Sequence, residues 1–277
     1  MTGQLDRIRE LDKLFSSQED IVSEKIVLIA SGKGGTGKTF FAANFSYQYS
    51  KSHKVLLIDA DFSLSNLHIL LNANPQKSLN MFFESKAGFN EIITEYNSNF
   101  DIIFGDAGSR SLDNPSFNEL NRLLKEINNI SSRYDLIVFD LGAGISDENL
   151  HLLSKAKTKI IITNPEPTAL MDAYVLIKAL KNKKAEDGIY IVTNRCIEES
   201  EGTQAFQNLK SAVDHFIKTK INFLATIPES LEVRKSIMDQ KLFAEHKQSG
   251  EVINSINSSV SKLSKIHQVF NINQLAI

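Results

Sequence analysis

Short apolar runs recur along this chain, each followed by a polar turn and, in most cases, by a segment with helical spacing. The runs are Lys25-Ile26-Val27-Leu28-Ile29-Ala30, Lys54 to Ile58, Phe100 to Phe104, Tyr134 to Asp140, Lys159 to Thr163, Ile189 to Thr193 and Ile221 to Ile227. They are too continuously apolar for a sheet face open to water, so each predicts a strand buried on both sides. Phe40 to Tyr49, Ser116 to Ile130 and Leu231 to Ser236 read as helices, Leu79 to Ile93 is amphipathic, and Thr168 is placed to cap a helix that follows Pro165 and Pro167. Alternating strands and helices predict an α/β fold, a mostly parallel sheet with helices on both faces and a ligand beyond the carboxyl ends of the strands.

The two ends of the chain have a different texture. Leu5, Ile8, Leu11 and Phe15 lie at helical spacing with charges between them, and a polar stretch from Ser16 to Glu24 follows. A lone helix of this length is marginal in water. It either docks on the chain's own core or lays its stripe in a partner's groove. At the other end Val252, Ile256, Val260, Leu263, Ile266 and Phe270 form one apolar stripe. A closing helix packed on the core is the default there, with Phe270 to Ile277 a weaker candidate for a membrane anchor. The expected organisation is a helix and tether over 1–24, a single α/β domain over 25–247 and a tail over 248–277.

The candidate chemistry sits between the first strand and the first helix, at Ser31-Gly32-Lys33-Gly34-Gly35-Thr36-Gly37-Lys38-Thr39. From Gly32 to Thr39 the spacing is that of a phosphate-binding loop of a P-loop NTPase. Glycines let successive N–H groups point at an anion, and the helix N-terminus adds its positive end. Lys38 would reach the β- and γ-phosphates of ATP and the Thr39 hydroxyl would ligate Mg²⁺. Asp59-Ala60-Asp61 follows the second run and Asp140-Leu141-Gly142-Ala143-Gly144 the fourth. Carboxylates at such positions can hold a metal's waters or orient an attacking water, and glycines let the backbone approach or leave a terminal phosphate. A solvated turn would also use aspartate.

The second lysine, Lys33, makes the loop resemble the deviant Walker A motif of the MinD/ParA class of P-loop ATPases. The resemblance covers roughly residues 25–245. It implies an ATP-dependent homodimer in which Lys33 acts in trans on the partner's phosphates. It also implies that Gly32, Gly34, Gly35, Thr36, Gly37, Lys38, Thr39 and Phe40 cradle the nucleotide, that Thr39, Asp59 and Asp140 serve Mg²⁺, and that Asp61 is the catalytic aspartate. Asn194 is in the position that reads the adenine edge, beside Arg195, with Pro228 and Glu229 in a loop that closes over the base; a turn asparagine is the competing view. Gly105 to Ser109 resembles a glycine segment of the class and reads either as a turn that shapes the dimer face or as a plain turn.

Pro165-Glu166-Pro167-Thr168-Ala169-Leu170-Met171-Asp172-Ala173-Tyr174 resembles most the FlhG (FleN, YlxH) regulators of flagellar number and placement. The N-terminus is similar to their activation helix. Gln4 and Arg9 match it, Ile8 replaces a leucine, and Gly3 and Leu5 depart from it. The resemblance implies that Gln4, Ile8 and Arg9 contact an FlhF-like GTPase. A MinD-like division-site regulator and a ParA-like cargo-partitioning ATPase are the alternatives, and a nucleotide-bound scaffold without turnover is a third.

Composition narrows these classes. A formal net charge of −2 in 277 residues leaves no overall electrostatic footprint for nucleic acid, so DNA binding is not expected. The single cysteine, Cys196, excludes an intrachain disulfide and fits a reducing compartment. It also argues against the cluster-bearing nitrogenase relatives of the class. The six histidines have no metal-ligand spacing. With no signal peptide or membrane-spanning run visible, the expected location is cytoplasmic, with peripheral contact at the inner face of the membrane through the tail.

Overall fold

A computed structural model describes residues 24–105 and 114–274 of the chain. In chain order the elements are β1 (Ile26–Ser31), α1 (Lys38–Ser50), β2 (Val55–Ala60), α2 (Leu67–Leu70), α3 (Leu79–Phe83), β3 (Ile93–Asn97), β4 (Phe100–Ile103), α4 (Phe117–Ile130), β5 (Leu136–Ala143) and α5 (Asp147–Lys155). They continue as β6 (Thr158–Thr163), α6 (Pro167–Asn182), β7 (Ile189–Cys196), α7 (Glu199–Ala212), β8 (Ile221–Pro228), α8 (Leu231–Met238), α9 (Phe243–His246) and α10 (Glu251–Gln274).

The strands form one sheet in the order β3-β4-β2-β5-β1-β6-β7-β8. All neighbours are parallel except β3 and β4. Successive residues of β1 point to opposite faces, which splits the core in two. Ile26, Leu28 and Ala30 join the buried side chains of α3 to α7, whereas Val27 and Ile29 join those of α1, α2, α9 and α10. The expected α/β architecture with helices on both faces is therefore the observed one. Val252, Ile256 and Leu263 of α10 are buried, with Val260 and Ile266 packed beside them. The helix lies on β8 and α1.

Several local readings are corrected. The amphipathic stretch from Leu79 to Ile93 divides into α3 and a 3₁₀ turn at Phe89–Ile92, interrupted by a left-handed Ser85 (φ 57°) and by Gly88. Strand β3 then begins at Ile93, and nothing in the hydrophobic pattern marks it. It is a half-exposed edge strand, where Glu95 and Asn97 blunt pairing with other chains. Thr168 does not cap α6: Glu166 is the cap residue and Pro167 the first helical position, where a missing N–H costs nothing. Asp59 and Asp140 stand inside β2 and β5 rather than at their ends, because pairing continues to Ala60 and Ala143. Residues 1–23, which hold the predicted N-terminal helix, and all of the Gly105 to Ser109 loop beyond Gly105 lie outside the described residues.

Candidate functional site

Strand β1 and helix α1 hold the glycine loop between them. Gly37 immediately precedes α1 with φ 88°, a left-handed conformation that glycine adopts without strain, and no side chain caps the helix. The first-turn N–H groups are thus left for an anion. Gly32 is demanded by proximity, since a Cβ there would lie 2.4 Å from the backbone of Asp172 in α6.

Lys38 turns back under the loop, and its Nζ donates to Oδ1 of Asp140 at 2.8 Å, with both side chains buried. The second oxygen of Asp140 and the hydroxyl of Thr36 are buried without a hydrogen-bond partner among the described residues. Asp59 stands opposite Asp140 in the parallel pairing of β2 and β5. Burial, and next the charge of Asp140, push its carboxyl up to about 7, against hydrogen bonds from Ser65 Oγ at 2.6 Å and from the N–H groups of Asp61 and Leu67 at 3.2 Å. Two buried carboxylates, Asp59 and Asp140, the latter with an orphaned oxygen, form an oxygen donor set that suits a hard divalent cation such as Mg²⁺. Thr39, one residue into α1, follows Lys38 on the loop side.

Asp61 sits half-buried just past β2, its Oδ1 accepting from the N–H groups of Ser63 and Leu64 at 3.3 and 3.0 Å. It faces Gly142, where a Cβ would come within 3.3 Å of that oxygen. A cavity of about 160 Å³ opens here between Asp61, Leu64, Gly142 and Asn149. The Asn149 amide donates to the carbonyls of Gly142 and Gly144 at 2.9 and 3.4 Å, and the Gly144 N–H donates to the Ser31 carbonyl at 2.9 Å. The loop after β5 is thereby tied to α5 on one side and to the glycine loop on the other.

A second cleft, of about 110 Å³, lies beyond β7 and β8. Phe40, Asn194, Pro228, Val233 and Arg234 are among its walls. The Asn194 amide donates to the Thr36 carbonyl at 2.7 Å, joining the end of β7 to the glycine loop. Arg195 takes a left-handed φ of 59°, uncommon for a residue with a side chain and the kind of strain that gathers at ligand sites. Lys33 reaches away from the loop toward α6, donating to Glu166 Oε2 at 2.7 Å and to Thr168 Oγ1 at 3.1 Å. This lysine holds the Glu166 carboxyl below the usual carboxylate range.

Residues 27–243 match the model of the CobQ/CobB/MinD/ParA nucleotide binding domain. The chain belongs to this MinD/ParA family. Its relatives include FlhG homologues. It is 30% identical over 242 residues to the flagellum site-determining protein YlxH of Helicobacter pylori, covering 87% of this chain and 82% of that one. It is 27% identical over 218 residues to the antiactivator FleN of Pseudomonas aeruginosa, covering 78% of each. The fold is shared with MinD from the MinC:MinD complex of Aquifex aeolicus, with a TM-score of 0.73 at 24% identity over 87% of this chain and 96% of that one. It is shared also with MinD of Pyrococcus horikoshii, which was solved with Mg-ADP, with a TM-score of 0.71 at 23% identity over 88% and 98%.

Within this MinD/ParA chain, Lys38, Asp59 and Asp140 converge below the glycine loop, and Asp61, whose N–H donates to Asp59, turns its carboxylate toward Gly142 near the end of β5. Phe40, Asn194, Arg195, Pro228 and Glu229 gather around the second cleft. Lys33 points to neither group within its own chain. Gln4, Ile8 and Arg9 lie outside the described residues. Sequence reasoning missed Asn149, Ser65, Val233, Arg234 and the role of Glu166 as a partner of Lys33. The only available signal was that Ser146 and Ser230 read as helix caps, which places Asn149 and Val233 in first turns beside the loops.

Proposed function

We propose that this protein is an ATP-driven dimerisation switch of the flagellar branch of the family, setting flagellar number or placement through an FlhF-like GTPase. The observation that carries the nucleotide part is the buried Lys38–Asp140 pair, with its unpartnered oxygen and Asp59 alongside, directly beneath a helix start left open for phosphate. The flagellar part rests on the likeness to YlxH and FleN and on Gln4, Ile8 and Arg9.

In this reading Gly32 to Thr39 bind the phosphates, and the cleft at Asn194, Pro228 and Val233 takes the adenine. Thr39, Asp59 and Asp140 would hold Mg²⁺, which supplies positive charge to the transferring phosphoryl group. Lys38 neutralises charge between the β- and γ-phosphates. Asp61 orients a water for attack on the γ-phosphorus, in the cavity where Asn149 steadies the Gly142 and Gly144 carbonyls. Lys33 leaves Glu166 and reaches the phosphates of a second copy, so the dimer lasts only while the γ-phosphate is present.

Two measurements test the reading. With ATP and Mg²⁺, the Asp61→Ala protein should bind nucleotide, release little phosphate and accumulate as a dimer; a monomer at saturating ATP would refute the sandwich. The GTPase rate of an FlhF-type partner should rise with the full-length protein and not after deletion of residues 1–16. Absence of stimulation would leave the ATP switch intact and return the target to division or cargo positioning.

A further inference from the structure

Outside the nucleotide site, an apolar groove of about 540 Å³ lies between α6 and α7. One wall is Pro167, Leu170, Met171 and Tyr174, spaced i, i+3, i+4 and i+7 along a single stripe of α6. The facing wall is Leu209 and Ala212 of α7. Phe216 closes the end. It belongs to a one-turn π-helix, Val213–Ile217, and its ring stands 72% exposed rather than turning into the core. Met171 is 61% exposed. Such π turns recur at functional sites, and a continuous apolar patch of this kind marks a docking surface.

We propose that this groove receives residues 5–15 of the same chain, as an amphipathic helix presenting Leu5, Ile8, Leu11 and Phe15. The described structure begins at Glu24, whose carboxylate pairs with Lys157 at 2.6 Å. Lys157 directly precedes β6, and Pro165, at the mouth of the groove, follows the same strand. The groove is thus about one strand length from the point where the segment joins, roughly 25 Å at 3.3 Å per residue. The nine residues from Phe15 to Glu24 span up to about 30 Å, so the tether reaches. The stripe from Leu5 to Phe15 is about 15 Å long as a helix, comparable to the groove wall on α6. A helix with anchors at such spacing fits an apolar groove of this form. A short tether holds it at an effective concentration near millimolar, which an external partner has to overcome. Docking would also supply what the helix lacks alone, since its length is marginal in water.

The wall of the groove and the Lys33 contact share one element. Glu166 and Thr168 begin α6 on the side of the glycine loop, while Leu170, Met171 and Tyr174 line the groove. A segment seated there would be withheld from any partner until released.

The test requires neither nucleotide nor a GTPase, so it is independent of the proposed function. Cys196 is buried, which allows Met171→Cys to be labelled selectively with a benzophenone maleimide on the full-length protein. Irradiation should join position 171 to residues 5–15 of its own chain, and a mixture of isotopically light and heavy protein should give no mixed products. In hydrogen exchange, amides of residues 169–175 and 206–216 should exchange several-fold faster after deletion of residues 1–16, faster also in Leu11→Asp, and slow again when the peptide 1–16 is added. Identical exchange in the full-length and shortened proteins overturns the proposal. Crosslinks only between light and heavy copies overturn it as well, assigning the groove to a second molecule.

Discussion

Lys33 and Glu166 are 133 residues apart in the chain and 2.7 Å apart in space. The lysine that marks the family's loop is therefore occupied within its own subunit, by a side chain from the cap of α6. If Lys33 is to act on a second copy's phosphates, this contact has to open first. The pair is a gate rather than a lock, because Glu166 is 63% exposed and exposed ion pairs are weak.

Glu166→Gln should accordingly raise the dimer population at subsaturating ATP by a modest factor, no more than roughly fivefold. Lys33→Ala should abolish the ATP-dependent dimer. Sedimentation equilibrium with a non-hydrolysable ATP analogue measures both. An unchanged association constant in Glu166→Gln would mean that the contact does not restrain Lys33.

The pair beneath the loop behaves differently, because Lys38 and Asp140 are both buried. Asp140→Ala leaves the Lys38 ammonium without its counter-charge, and removing one partner of a buried pair costs about 3–5 kcal/mol. Unfolding in urea should show this loss in the nucleotide-free protein. The double substitution Lys38→Met with Asp140→Ala should recover part of it. Equal losses in the single and double variants would show that the cost arises from packing and not from charge.

Asp59 predicts a pH dependence with a definite sign. Its carboxyl titrates near 7 in the fold because burial and Asp140 oppose its charge, and near 4 in the unfolded chain. Between those values the folded state holds a proton that the unfolded state has lost. The contribution is thus complete below about pH 4, declines as pH rises toward 7 and is flat above. Asp59→Asn should remove that slope and make the nucleotide-free protein more stable at pH 8, by an amount of order a few kcal/mol. Thermal denaturation from pH 5 to 8 without nucleotide or Mg²⁺ tests it, and parallel curves for the two proteins would refute it.

These predictions draw unequally on what was legible in the sequence. Ser31 to Thr39 could be read directly, because its chemistry is local: glycines at fixed spacing, a strand before and a helix after. Asp59 and Asp140 could be read as acids following apolar runs. Their adjacency could not, since it depends on β2 and β5 being neighbours while lying 75 residues or more apart in the chain. Glu166 was legible as part of a proline-rich helix start, but its contact with Lys33 arises from α6 packing its first turn against the loop. Strand β3 was invisible for a physical reason, since an edge strand is selected against long apolar runs.

Asn149 illustrates what only packing reveals, and it carries the last prediction. Its side chain is buried and donates to the carbonyls of Gly142, near the end of β5, and of Gly144, just past it, opposite Asp61. Asn149→Ala leaves both carbonyls unsatisfied, at a stability cost of about 1–3 kcal/mol. It also frees the backbone that Asp61 faces. With the phosphates held by Gly32 to Thr39 as proposed, ATP affinity should change little, whereas phosphate release should fall by roughly tenfold or more, since a small misplacement near the reacting atoms is costly. Asn149→Asp tests the direction of the hydrogen bonds: a carboxylate cannot donate to these carbonyls and adds charge near Asp61, so it should be worse than alanine. Equal turnover in wild type and both variants would show that the loop holds its position without α5.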